Sequence, residues 1–236
     1  ENVRPFVLCI ALNLALGLAL ASIKPDSTDL FARDGFLAVG LAWMLMSLLG
    51  ALPYILSGDI PDFVDALFES VSGFSTTGAT VLTDVEALSR SCMLWRLLSQ
   101  WIGGMGVLVF ILAVMPMSGE HSMHIVRAEF PGPTVGKLVP RVRETAKILY
   151  LIYIGMTLLE FVLLACGGMS IYEALGHAFA SAGTGGFSTR TASHGEFNSL
   201  YIEVVATVFE LLFSVNFYIY YCILTGRART ALKNEE

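Results

Sequence analysis

Charge is scarce in this sequence. Asp, Glu, Lys and Arg make up 14% of its 236 residues, against about a quarter in ordinary soluble domains. What charge there is sums to −6 at pH 7. With no basic stripe to meet phosphates, the chain is not expected to bind nucleic acid. Four cysteines, Cys9, Cys92, Cys166 and Cys222, lack the paired spacing of a metal site. Three of them lie in apolar stretches and read as small buried hydrophobes. No Ser/His/Asp arrangement, His-Glu-x-x-His helix or paired-aspartate signature is present to support an enzyme. Apolar surface is abundant instead, with 55% hydrophobic residues gathered into long runs. The chain opens on Glu1 without a secretory-signal pattern and reads as a piece of a polytopic, all-α membrane protein.

A helix needs about 20 apolar residues to cross a bilayer core. Pro5–Ile23, Gly35–Gly58 and Leu97–Gly119 run for 19, 24 and 23 positions without a charge. Ile148–Tyr172 and Val204–Gly226 are interrupted only by Glu160 and Glu210. Five spanning helices are therefore expected. Two more apolar segments, Phe63–Phe74 and Ile171–Ala182, are too short to span and suit buried or re-entrant helices. Pro61 fits the first turn of the former, with Asp59 or Gly58 as its cap.

The basic residues set the orientation. Ten of the 14 fall in the linkers 24–34, 117–147 and 225–236. The other side keeps Arg4, Arg90, Arg96 and Arg190 among several acids, including Asp59, Asp62, Asp65, Asp84, Glu86 and Glu196. All three basic linkers reach the cytoplasmic side only if both short segments dip in and return to the face they left. Parity and length thus argue independently for re-entrant segments.

The organisation repeats. Gly35–Pro116 and Ala146–Leu224 both read as spanning helix, outer loop, short helix, Gly/Thr segment, spanning helix. Asp65-Ala66-Leu67 leads to Gly78, and Glu173-Ala174-Leu175 leads to Gly186 at the same separation. Thr76-Thr77-Gly78-Ala79 thereby lies over Thr184-Gly185-Gly186-Phe187. Both units begin on the cytoplasmic side, so the repeats are parallel, unlike inverted-repeat transporters. Such a unit can present backbone carbonyls to a cation at membrane depth, because glycine frees the backbone angles and irregular backbone is tolerated where it lines a watery cavity. The short helix also aims its partly negative C-terminus at the membrane centre.

The stretches Phe68–Val81, Leu94–Gly106, Arg127–Pro133 and Gly185–Thr189 resemble the TrkH/KtrB/HKT superfamily of cation-translocating membrane proteins, and within it the bacterial TrkH-type potassium uptake subunits. The resemblance extends over nearly all of the chain. It implies parallel repeats of outer helix, re-entrant pore helix with filter loop, and inner helix around one potassium pathway. It implies that Gly78 and Gly186 are filter glycines, with Thr76, Thr77, Thr184 and Gly185 supplying carbonyls to potassium, which is substrate and not cofactor. Glycine at the first of these positions goes with potassium preference in the family, where serine tends to admit sodium; Gly183 stands where the family pattern has alanine. The division implied is 1–34 as a partial N-terminal helix and cytoplasmic turn, 35–116 as the first pore repeat, 117–147 as a cytoplasmic linker, 148–226 as the second repeat and 227–236 as a cytoplasmic tail. The family has one further helix before these and two further repeats after them, so this chain is expected to be half a pore. Also implied are a bacterial inner (plasma) membrane location, a homodimer of the full-length protein and a nucleotide-binding regulatory subunit on the cytoplasmic surface. Arg141 and Arg143 are the first contacts to test for that subunit.

Other residues carry two readings each. Glu160 and Glu210 lie within spans, where ionisable groups are costly; they either line the pathway or pair with a neighbouring repeat. Glu203 and Glu210 share a helix face. His177 matches Glu69 and is expected to hydrogen-bond behind the filter, since imidazole is a poor potassium ligand. His121 and His124 lack the further ligands a metal needs. Gly103-Gly104-Met105-Gly106 is expected inside a spanning helix, for close packing or a kink. An intramembrane enzyme using Glu69, His177, Glu160 or Glu210, and a half-pore acting only with another chain, are the competing functions.

Overall fold

The computed structural model describes residues 3–23, 32–106 and 142–224. Outside these residues lie the 117–147 linker as far as Arg141, with His121 and His124, the Leu97–Gly119 run beyond Gly106, the 227–236 tail and the side chain of Arg143. The described residues form helices α1 (Arg4–Ala21), α2 (Ala32–Ser57), α3 (Phe63–Phe74), α4 (Arg90–Gly104), α5 (Val142–Cys166), α6 (Ile171–Ala182), α7 (Leu200–Ser214) and α8 (Phe217–Leu224), with short 3-10 turns at Val85–Ala87 and Ser193–Phe197 and no strand. Arg4–Ala21, Leu37–Ser57 and Lys147–Cys166 are long and apolar enough to cross a membrane.

The helices fall into two units, α2-α3-α4 and α5-α6-α7, joined where α4 packs on α6. In each, the short helix is a hairpin's interior. The amide and hydroxyl of Ser89, the cap of α4, both donate to Asp59 just past α2, at 3.2 and 2.5 Å. The chain therefore leaves α2, makes α3 and its loop, and comes back to the end it left. In the second unit Gly167, just past α5, is pressed against Tyr201 and Ile202 at the start of α7. Both short segments are re-entrant in this sense.

The outside of the described helices is apolar, unlike that of a soluble protein. Leucines of α1, α2, α5 and α7 face outward, among them Leu8, Leu41, Leu158 and Leu211, each more than half exposed. Polar side chains sit inside: Glu69, Ser70, Arg96, Ser99, Gln100, His177 and Ser181 are each 2% exposed or less. A bilayer rewards this pattern, since apolar faces meet lipid and polar groups find partners within the protein.

Several expectations need correction. Asp62, not Asp59 or Gly58, caps α3, accepting from Val64 and Asp65 amides at 2.8 and 3.1 Å. Pro61 thus precedes the cap, and Asp59 serves α4 instead. The Ile148–Tyr172 run is not one helix: α5 stops at Cys166 and a turn with Gly168 at φ +99° leads into α6. The Val204–Gly226 run breaks at Val215, whose extended backbone (ψ 140°) separates α7 from α8. Cys166 is exposed, whereas Cys92, outside any long apolar run, is buried beside Ser57.

Candidate functional site

The Gly/Thr segments follow directly from how α3 and α6 end. Thr76 and Thr77 amides bond back to Gly73 and Ser72 carbonyls at 3.0 Å each. Thr184 and Gly185 amides bond to Ser181 and Ala180 carbonyls at 2.8 and 3.3 Å. Both are Schellman caps, which need a left-handed residue just beyond the helix. That residue is threonine in each case, Thr76 at φ 56° and Thr184 at φ 52°. Holding a β-branched residue there costs about 1–2 kcal/mol. Two residues on, Gly78 and Gly186 sit at φ 74° and 73°. Sequence offset, hydrogen bonds and dihedrals coincide in the two copies.

The two segments face one another. A methyl at Gly78 would collide with the Gly185 carbonyl, and one at Gly185 would press on the Thr76 carbonyl and the Gln100 amide. Backbone oxygens of both copies therefore enter one shared space. Thr77, Thr184 and Gly186 are exposed, and Thr76, Gly78 and Gly185 are half-buried, so this space opens away from the chain.

What lies behind is sealed. Glu69 of α3 takes the Arg96 guanidinium Nε of α4 at 3.0 Å, the Val81 amide at 2.8 Å and the Thr80 hydroxyl. Arg96 also donates to the Ser188 carbonyl at 3.3 Å and lies 3.5 Å over the centroid of the Phe187 ring. Gln100, one turn further along α4, accepts the Phe187 amide at 3.1 Å. Helix α4 of the first unit thus holds the segment of the second. His177 does for Thr189 and Ser188, at 3.2 and 3.5 Å, what Glu69 does for Val81 and Thr80. Its other ring nitrogen meets His194 at 3.1 Å.

On the rim, Arg190 bonds Glu173 at 2.6 and 3.0 Å and reaches Glu86 and Glu196 at 3.3 and 3.4 Å. Burial pushes the Glu173 carboxyl up, but hydrogen bonds from Ser170 and Arg190 and the guanidinium charge prevail and hold it below its ordinary value. The hydrogen bond to Glu173 and its charge push Arg190 up in turn.

Gly103 and Gly104 let this assembly close. Substituents there would strike the Phe74 carbonyl, and the Tyr153 hydroxyl and Gly183 backbone, respectively. Close packing is their role, but the stretch does not lie inside a helix: α4 ends at Gly104, and Gly106 takes φ 68°. Glu160 does not line the shared space. It is 0% exposed, whereas Glu210 is half-buried and Glu203 exposed on α7.

A family model described as a cation transport protein, TrkH, matches residues 2–234. The chain belongs to the TrkH family. It is 39% identical over 229 residues to the Trk system potassium uptake protein TrkH of Escherichia coli K12, covering 95% of this chain and 47% of that protein. It is 39% identical over 226 residues to the protein of that name from Halomonas elongata, covering 94% and 47%. The crystal structure of the potassium transporter TrkH from Vibrio parahaemolyticus superposes with a TM-score of 0.80 at 34% identity, covering 97% of this chain and 46% of that one. The chain spans about half the length of the relatives it matches.

Within this TrkH-family chain, sequence reasoning located both Gly/Thr segments and the Glu69/His177 correspondence. It missed Arg96 and Gln100, which it placed on an acidic outer face or left without a role. Their signal was present: they lie four apart on α4, hence on one helix face, beside the glycines that bring α4 against both segments.

Proposed function

We propose that the protein takes part in potassium uptake across the bacterial inner membrane, as a multi-pass component of a Trk-type system, and that Thr76, Thr77, Gly78, Thr184, Gly185 and Gly186 are half of its selectivity filter. The observation that carries this is the pair of matched caps, with positive φ at Thr76 and Gly78 and again at Thr184 and Gly186. Positive φ at every second residue swings successive peptide planes the same way, so that carbonyls collect on one side of the strand. Potassium exchanges hydration oxygens for such carbonyls at little net cost. The negative C-terminal ends of α3 and α6 favour a cation at the same point. The buried Glu69, Arg96, Gln100 and His177 hold the strands open against collapse. Acids of the rim raise the local cation concentration.

Two strands leave an ion uncovered on one side, and the exposed face of the segments suits two further repeats of the same kind. Conduction is therefore a property of the full-length protein, with 35–116 and 148–226 as its first two pore repeats. Potassium is the substrate, no cofactor is required, and the protein is not an enzyme. A homodimer of the full-length protein and a nucleotide-binding regulatory subunit on the basic cytoplasmic side complete the reading. The relatives' names, which specify potassium uptake, support the choice of ion.

Gly78→Ser in the protein expressed from its own gene tests the assignment. Potassium-over-sodium preference in vesicle flux is expected to fall on the order of tenfold, about 1.4 kcal/mol of discrimination. Unchanged preference at normal protein level removes Gly78 from the filter.

A further inference from the structure

Of the two fully buried acids among the described residues, Glu69 and Glu160, the site uses only Glu69. Glu160 lies within α5, fully enclosed, and neither carboxyl oxygen has a hydrogen-bond partner. The Ser181 hydroxyl of α6 faces it, also without a partner of good geometry. The charged group that acts on it is Glu210 of α7, of like sign. From α5 itself comes only the Tyr153 phenol, and α8, packed on α5, carries no acid or base that is charged at neutral pH. Among the described residues no cation acts on it.

The repeat shows that the unit does not need an acid here. Gly58 and Gly168, at φ 82° and 99°, end the two outer helices, and counting back equally from each sets Gly50 against Glu160. Gly50 is pressed by the Phe74 ring and the Ser70 hydroxyl. The residue matching Phe74 is Ala182, and the one matching Gly73 is Ser181. An aromatic ring closes the first unit at this point, and a carboxyl stands at the matching point in the second.

An ionised carboxylate buried without donor or cation is strongly disfavoured, and an alkali cation would need a ring of oxygens where only Glu160 and Ser181 converge. A proton needs one oxygen. We propose that Glu160 is a proton-binding site: it holds a proton in this arrangement, and losing it disturbs the second Gly/Thr segment through Ser181. The route is short, because the Ser181 carbonyl accepts the Thr184 amide at 2.8 Å in the cap that sets the segment. An ionised Glu160 draws in the Ser181 hydroxyl or water and shifts that cap. The effect on transport rests on the filter reading above; the proton site does not.

The test is infrared difference spectroscopy and potassium flux on the protein expressed from its own gene, in lipid vesicles, between about pH 5 and about pH 9. We expect a protonated-carboxyl band that Glu160→Gln removes and Glu160→Asp displaces. We expect flux to change several-fold over this range in wild type and less than twofold in Glu160→Gln. An identical band in wild type and Glu160→Gln overturns the proton site. A band unique to wild type with the same flux profile in both overturns the coupling. Loss of all potassium selectivity with the band intact would fail the filter reading and leave the proton site standing.

Discussion

Arg96 and Glu69 form an ion pair of 3.0 Å in which the two side chains are 2% and 0% exposed. The pair belongs to the first unit, yet the remaining surface of Arg96 is spent on the second, on the Ser188 carbonyl and the face of Phe187. One guanidinium therefore fixes the distance between the two Gly/Thr segments. Arginine suits this task because its planar fork bonds in two directions while its face stacks on an aromatic ring.

Removing either partner leaves a buried charge alone. Arg96→Ala and Glu69→Gln are each expected to cost about 3–5 kcal/mol. Arg96→Lys should recover little, since a lysine keeps the charge and loses the fork. Thermal unfolding of the detergent-solubilised protein checks this, together with the double variant, which should cost clearly less than the sum. Additive losses would mean the two side chains act separately.

The glycines of α4 and α5 make a contrasting pair. Gly103 has no room for a methyl, which would enter the Phe74 carbonyl. Nothing lies within 4 Å of a methyl on Gly155. Gly103→Ala should destabilise by about 1–3 kcal/mol through overpacking, and Gly155→Ala should stabilise by about 0.5–1 kcal/mol through helix propensity. Melting temperatures moving in the same direction would contradict the packing described for α4.

How much of this was legible beforehand divides along physical lines. The repeat, the re-entrant segments and the Gly/Thr positions were legible because hydropathy, parity and spacing are properties of local sequence. Asp62 is an ordinary cap residue by type, yet the sequence pointed to Asp59 or Gly58, and the bond of Asp59 to Ser89 depends on where α4 returns. The break at Val215 carries no glycine or proline, and its run is as apolar as a continuous span. Arg96 was the largest miss. A lone arginine near a predicted membrane face reads as a surface charge, and only the approach of α3, α4 and the second segment reveals its partner. Glu160 was recognised as costly, but whether it faced the pathway or the interior depended on the packing of α5 on α6.

His177 and His194 give the second unit a pH response. Burial, with the charge of His194 and against that of Glu173, pushes His177 down to about 3. Burial also pushes His194 down, against the pull of Glu210 and Glu203. Below the ordinary value of 6.5 the unfolded chain binds protons that the folded one refuses, so stability falls as pH drops from about 6.5 towards about 3. Each pH unit well inside this window costs up to about 1.4 kcal/mol for His177. His177→Gln keeps a polar group near Thr189 and cannot titrate. Its melting temperature should decline less than wild type between pH 7 and about pH 4.5; parallel declines would show that these rings are protonated in the folded state.

Gln100 reaches both copies of the segment. Its Oε1 takes the Phe187 amide, while its Nε2 lies against Gly185 and near Gly78 without a hydrogen bond of its own. An amide in this position keeps two strands apart and supports the second from behind. Gln100→Leu preserves much of the bulk but leaves the Phe187 amide unsatisfied, which should cost about 1–3 kcal/mol. Gln100→Glu keeps the acceptor for Phe187 and replaces the donor with a charge among carbonyls. If Gln100 acts on the strands, both variants should lose potassium preference in vesicle flux, with Gln100→Leu also lowering the melting temperature. A Gln100→Leu protein that melts early yet discriminates potassium from sodium as wild type does would make Gln100 a packing residue, with no part in holding the segments in register.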